Sequence, residues 1–188
     1  MRHKLVGISE IALGWIKKYK LRYKMEDNSD YNYEVVSRNK IEKPSDLASK
    51  INAVSIICYD NNQNYVLLKE FRYAVNDYVI DFPAGLIDEG ETVVHAAQRE
   101  LYEETGLKGK VTYVLDGGFS SAGMTDERVA VCMIKVKDVS LLTNEHVDGN
   151  EDIEFIICNL FDMESIANGE RGKISNRVQY FMLGKTQF

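Results

Sequence analysis

Between Gly85 and Leu107 the chain reads GLIDEGETVVHAAQRELYEETGL, and no other stretch restricts the fold so tightly. Nothing from Glu91 to Gly106 breaks a helix. Val94, Ala97 and Leu101 recur at i, i+3 and i+7, and Gly106 is able to take the left-handed conformation that closes a helix. The pattern predicts a capped amphipathic helix over 91–105. Glu100, Glu103 and Glu104 then stand at i, i+3 and i+4 on one face, where like charges cost about 0.2–0.5 kcal/mol per pair unless a cation lies between them. A divalent ion meets that need, because hard ions such as Mg²⁺ take oxygen ligands. Arg99, four residues before Glu103, is spaced to orient it. An isolated E-x-x-E-E is more often a solvated helix face, so the neighbouring positions decide between the two readings.

Those neighbours satisfy every specified position of a known pattern, G-x5-E-x7-R-E-U-x-E-E-x-G-U with U aliphatic. The positions are Gly85, Glu91, Arg99, Glu100, Leu101, Glu103, Glu104, Gly106 and Leu107. With each residue type at about 7% usage, a chance match at a given start falls below about one in a million. The segment resembles the box of the Nudix hydrolases. That resemblance implies an α+β fold, a Nudix-type α/β/α sandwich with a mixed sheet. It also implies Glu100 and Glu104 as ligands of Mg²⁺ or Mn²⁺, Glu103 as a further ligand or an acid that orients one, and a backbone carbonyl at Ala84 or Gly85 as another contact. Glu91 is expected to secure the loop.

Elsewhere the periodicity predicts strands at 53–59, 65–72, 78–82, 111–119, 129–137 and 153–159, and helices near 161–168 and 175–184. Asp60 to Asn64 reads as a turn between the first two strands. Tyr19, Leu21, Tyr23 and Met25 alternate with Lys18, Lys20, Arg22 and Lys24, and Tyr31, Tyr33 and Val35 alternate after a polar turn. Residues 13–39 therefore read as an N-terminal β-hairpin subdomain. The Pro44-containing stretch 41–50 is the linker, dividing a region 1–45 from a main domain 46–188.

Cys58, Cys132 and Cys158 form no CxxC pair, two of them lie in apolar runs, and a reducing compartment is expected. No stretch approaches the roughly 20 apolar residues that span a bilayer, and none resembles a signal-peptide core, so a cytoplasmic protein with no membrane partner is expected. The net charge of −6 disfavours a dedicated nucleic-acid coat, although residues 1–24 carry seven Lys/Arg against one acid.

Leu68–Tyr73 (LKEFRY) and Tyr78–Gly85 (YVIDFPAG) are similar to the segment that leads into the box of ADP-ribose pyrophosphatases. In that subfamily an N-terminal hairpin packs across a homodimer and grips the adenine. The resemblance makes Trp15 and Tyr33 the stacking faces, Glu34 an acceptor for the amino group, and Arg38 and Arg72 the cationic partners of the nucleotide. From the sequence alone, core or dimer packing is an equal reading of the two aromatics. It also puts the general base on a late loop, with Glu151 the candidate and Asp148 and Asp152 the alternatives. One departure weakens the substrate assignment: where the subfamily carries an S-P-G-type loop, this chain reads Ser121-Ala122-Gly123.

The expected chemistry is metal-assisted hydrolysis of a small-molecule nucleoside diphosphate derivative, with Glu151, Glu103 and Arg99 as the catalytic set. ADP-ribose cleaved to AMP and ribose 5-phosphate is the first choice. GDP-mannose, NADH and dinucleoside polyphosphates stay open as substrates. RNA-end processing is disfavoured by the overall acidity. A catalytically silent ligand-sensing module is the rival from another class, but such modules show eroded boxes and this one is intact.

Overall fold

The computed structural model describes residues 3–12, 14–145 and 152–186. They divide into two compact units, the first comprising the chain up to residue 52 together with 116–129, the second comprising 53–115 and 130 onward.

The first unit is built on three antiparallel strands in the order β1 (His3–Ala12), β2 (Lys17–Met25) and β3 (Asp30–Ser37). The alternation in β2 sorts its side chains as the sequence predicts: Tyr19 and Leu21 are buried, whereas Lys20, Arg22 and Lys24 are exposed. Tyr19 and Leu21 pack with Ile41, and Ile8, Tyr23, Val35 and Leu47 cover them. The Tyr19 hydroxyl donates to the Asn39 carbonyl at 3.2 Å and accepts from the Ile41 amide at 3.0 Å, which satisfies the polar end of a buried ring. Strand β1 is an addition to the predicted hairpin. Its register slips between Leu5 and Gly7 and again between Glu10 and Ala12, and these bulges erase the period-two pattern that betrays a strand.

The second unit is a mixed sheet between helices. Its strands are β4 (Ala53–Tyr59), β5 (Tyr65–Arg72), β6 (Asp77–Asp81), β7 (Ala84–Leu86), β8 (Gly109–Phe119), β9 (Arg128–Val136), β10 (Ile153–Cys158) and β11 (Lys173–Ile174), with the end of β8 from Asp116 and the start of β9 up to Val129 counted in the first unit. The order is β11-β6-β5-β4-β9-β8, with β10 on β5 and β7 on β4. β11 runs parallel to β6, while β5 is antiparallel to β6 and to β10. The Asp60 carboxylate closes the predicted turn, accepting from the amides of Asn62 at 2.8 Å and Asn64 at 3.0 Å.

Nearly unbroken apolar runs in β4 and β5 fit strands covered on both faces. On one face Ile57, Tyr65, Leu67, Ile80 and Phe82 meet Met163 and Ile166 of α2 (Leu160–Ala167) and Val178 and Met182 of α3 (Asn176–Thr186). The alternate residues Val54, Ile56 and Leu68 are also buried. α1 (Val93–Thr105) packs on β4 and β7. Its inward residues are Ala96, Ala97, Leu101, Glu104 and Thr105. Val94, expected on that stripe, is 42% exposed, and Ala96 takes the inward place. Burying Leu101 contributes about 1.5–3 kcal/mol. Cys58, Cys132 and Cys158 are all buried free thiols, and burial pushes them up to about 12, 11 and 12 respectively. No described helix is long and apolar enough to cross a membrane.

Candidate active site

α1 begins and ends as its sequence dictates. The Thr92 hydroxyl caps the first turn by accepting from the His95 amide at 3.2 Å. Gly106 closes the last turn with φ of +71°, and its amide bonds to the Tyr102 carbonyl at 2.8 Å. Between these caps the helix carries one guanidinium, Arg99, and three carboxylates, and a fourth, Glu91, lies just before the N-cap. Arg99 grips Glu91 with two parallel bonds, Nε to Oε1 at 3.0 Å and Nη2 to Oε2 at 2.8 Å. Its Nη1 reaches Glu100 Oε1 at 2.8 Å and Glu103 Oε2 at 2.9 Å, and Nη2 also reaches the Leu86 carbonyl at 2.9 Å. The planar fork of arginine makes this many fixed bonds possible where an ammonium could not.

The Arg99 bonds hold the Glu91 carboxyl at about 2, with the Asp88 amide and His95 adding to the effect. Those carboxylates in turn push Arg99 upward, so it stays charged throughout. Glu91 also accepts the Asp88 amide at 3.1 Å, so it secures the loop before the helix, as expected.

Two contacts set Glu104 and Glu100 against β7. The Ala84 amide donates to Glu104 Oε2 at 3.1 Å, and Glu104 is 7% exposed. At Gly85 the backbone passes so close to Glu100 that a Cβ there would lie 1.9 Å from the Glu100 Cδ. The first glycine of the pattern is therefore a site of close approach. Sequence spacing alone does not reveal which atom it makes room for.

The donors near β7 are carboxylate and peptide oxygens, the chemistry that hard divalent ions select. Among the described residues no three His, Cys, Asp or Glu side chains converge as a closed cage. An excess of carboxylates over the single guanidinium leaves the negative charge that a divalent ion offsets.

Arg72 closes β5, and its Nη2 pairs with Glu70 Oε2 at 2.9 Å. Burial raises the Glu70 carboxyl, and Arg72 opposes that rise. Asp152 accepts from the Tyr78 hydroxyl. Glu151 and Asp148 lie outside the described residues.

Within the first unit, Arg38 stands over the Trp15 ring with its Cζ 5.9 Å from the centroid, and its Nε bonds to Glu127 Oε1 at 3.1 Å. Tyr33 is set differently: its hydroxyl donates to the Gly123 carbonyl, and its ring lies 6.3 Å from that of Tyr31. Glu34 is ion-paired with Lys18 at 2.6 Å, which holds its carboxyl below the ordinary range. Glu127 was not singled out by the sequence, because its partner lies 89 residues away and no local spacing marks the pair.

The NUDIX domain family model matches residues 49–178. The chain belongs to the Nudix hydrolase family. This Nudix hydrolase is 34% identical over 174 residues to the ADP-ribose pyrophosphatase of Saccharomyces cerevisiae, covering 88% of this chain and 74% of that protein. It is 27% identical over 153 residues to the ADP-ribose pyrophosphatase of Bacillus subtilis, covering 76% and 82%. A solved structure described as an ADP compounds hydrolase superposes with a TM-score of 0.61 at 17% identity, over 89% of this chain and 84% of that one, and shares its fold. An α+β sandwich with an additional N-terminal sheet is thus the architecture of this Nudix enzyme.

Proposed function

We propose that this Nudix hydrolase cleaves ADP-ribose to AMP and ribose 5-phosphate with Mg²⁺, Mn²⁺ being the alternative ion. The observation that carries the reading is the Arg99-centred helix, whose acids are held against β7 by Ala84 and by the close approach at Gly85. Relatives named ADP-ribose pyrophosphatase support the choice of substrate.

Glu100 and Glu104 would hold the ion, with Glu103 and the Ala84 or Gly85 carbonyl adding oxygens. When bound, Mg²⁺ polarises a phosphoanhydride, lowers the pKa of a water and offsets charge on the leaving phosphate. Arg99 fixes the carboxylates before substrate arrives, so little reorganisation accompanies reaction. The Arg72 fork suits phosphate oxygens, with Glu70 steadying it. Glu151 receives the proton of the attacking water; Asp148 and Asp152 are the alternatives. Trp15 and Arg38 offer an aromatic and cationic platform for the base, and Tyr33 and Glu34 complete the nucleotide contacts. The active species is a homodimer.

The test is a hydrolysis panel with ADP-ribose, GDP-mannose, NADH and a dinucleoside polyphosphate, run with Mg²⁺ and with excess chelator. The expected result is the highest kcat/KM for ADP-ribose, AMP among the products, and loss of turnover on chelation. Preference for another substrate, or turnover that survives chelation, overturns the assignment.

A further inference from the structure

The contact between Arg38 and Trp15 does not stand by itself. Arg38 Nε bonds to Glu127 Oε1 at 3.1 Å, and the other Glu127 oxygen accepts from the Ser120 hydroxyl at 2.7 Å. Glu127 is further fixed through its backbone, its amide bonding to Thr125 Oγ1 at 3.2 Å and its carbonyl to the Ser120 amide at 3.1 Å. The loop that carries it is fastened along β3, where the Val36 amide bonds to the Met124 carbonyl at 2.9 Å and the Tyr33 hydroxyl bonds to the Gly123 carbonyl. A long, solvent-facing arginine is therefore aimed by a carboxylate that has almost no freedom of its own.

Such a pair adds little to stability, because an exposed ion pair gains only modest energy and ordering two side chains opposes it. Its geometric effect is larger. The guanidinium covers one face of the Trp15 ring while the residue as a whole is still 72% exposed, which leaves aromatic surface on which a planar base would stack. Free of Glu127, Arg38 would spread over its rotamers, and a ligand would have to order it on binding.

We propose that Glu127 is a positioning residue for nucleotide binding: it holds Arg38 against Trp15 and so presets a stacking platform for the base of a nucleoside diphosphate. The inference rests on the ADP-ribose reading above for the ligand class, and on Ser120 and Glu127 for the positioning. Nothing in it concerns the chemical step, so Glu127 acts on affinity and not on turnover.

Trp15 is the only tryptophan in the chain, so its fluorescence reports this contact directly. The experiment compares wild type, Glu127→Gln, Arg38→Lys and the double variant of the full chain. It records the emission of the free protein, the quenching by AMP, and kcat and KM for ADP-ribose. Glu127→Gln is expected to shift the emission as Arg38→Lys does. It should weaken AMP binding and raise KM by about five- to tenfold. kcat should stay within about twofold, and the double variant should be no worse than the poorer single one.

Unchanged emission and AMP affinity in Glu127→Gln overturn the proposal, as do losses that multiply in the double variant or fall on kcat alone. If Glu127→Gln does not fold, Ser120→Ala replaces it, since it removes one anchor of the carboxylate and keeps the charge; an unaltered emission there is equally fatal. Failure of the substrate reading looks different. In that case wild type leaves ADP-ribose uncleaved, while the emission shift in Glu127→Gln still registers the contact.

Discussion

Replacing Gly85 with alanine separates the site from the fold. The added methyl would sit 1.9 Å from the Glu100 Cδ, about 1.5 Å inside the 3.4 Å of ordinary contact, and it would also meet both carboxylate oxygens near 2.1–2.2 Å. Those atoms are the far end of a flexible side chain, so the carboxylate swings aside and the backbone need not move. Gly85 has no left-handed φ, which leaves alanine's own conformation unstrained. The fold should thus lose no more than about 1 kcal/mol, or a few degrees in Tm. Glu100, however, must move by more than an ångström, taking with it the oxygen that Arg99 holds at 2.8 Å. A misplacement of about 1 Å costs on the order of 100-fold in rate. Steady-state turnover of ADP-ribose with Mg²⁺, alongside thermal unfolding of the same sample, is the assay. Turnover close to wild type would refute the close-approach argument, and gross unfolding would show that Gly85 serves the backbone instead.

Gly106→Ala should behave in the opposite way. It forces φ of +71° on alanine and drives a methyl to 2.2 Å from the Thr143 Cγ2, so denaturant unfolding should show a loss of about 1–3 kcal/mol. Arg99→Lys keeps the charge but cannot reproduce the two parallel bonds to Glu91 together with those to Glu100, Glu103 and Leu86; we expect about 2–4 kcal/mol less stability and at least tenfold lower kcat, read from melts and kinetics. Glu91 has a folded value of about 2 against an ordinary 4.5, so the stability it contributes is fully present above pH 4.5 and is lost as pH falls towards 2. The difference in Tm between wild type and Glu91→Gln should therefore narrow across that window. For the proposed base, Glu151→Gln should lower kcat by about 100-fold or more with KM little changed, and an unaltered kcat would move the role elsewhere.

The second unit was largely legible because its strands and helices obey strong periodicities. The predicted 53–59 and 65–72 are the observed β4 and β5, and the predicted 91–105 helix starts two residues later, at Val93, because Thr92 is its cap. Strand β1 was not legible, since two register slips break its alternation. At the site, Arg99's reach to Glu103 followed from spacing within one helix. Its bonds to Glu91 and to the Leu86 carbonyl depend on how the preceding loop folds back. The pairing of Arg38 with Glu127 joins distant parts of the chain, and composition or period carries no trace of such a pair.

The three thiols lie shut inside the protein and far from their reactive thiolate form at neutral pH. An alkylating reagent can label them only in molecules that have opened, so each added mass counts an opening event. Because Cys58, Cys132 and Cys158 sit on three different strands, the order in which they become labelled would tell which part of the sheet parts first.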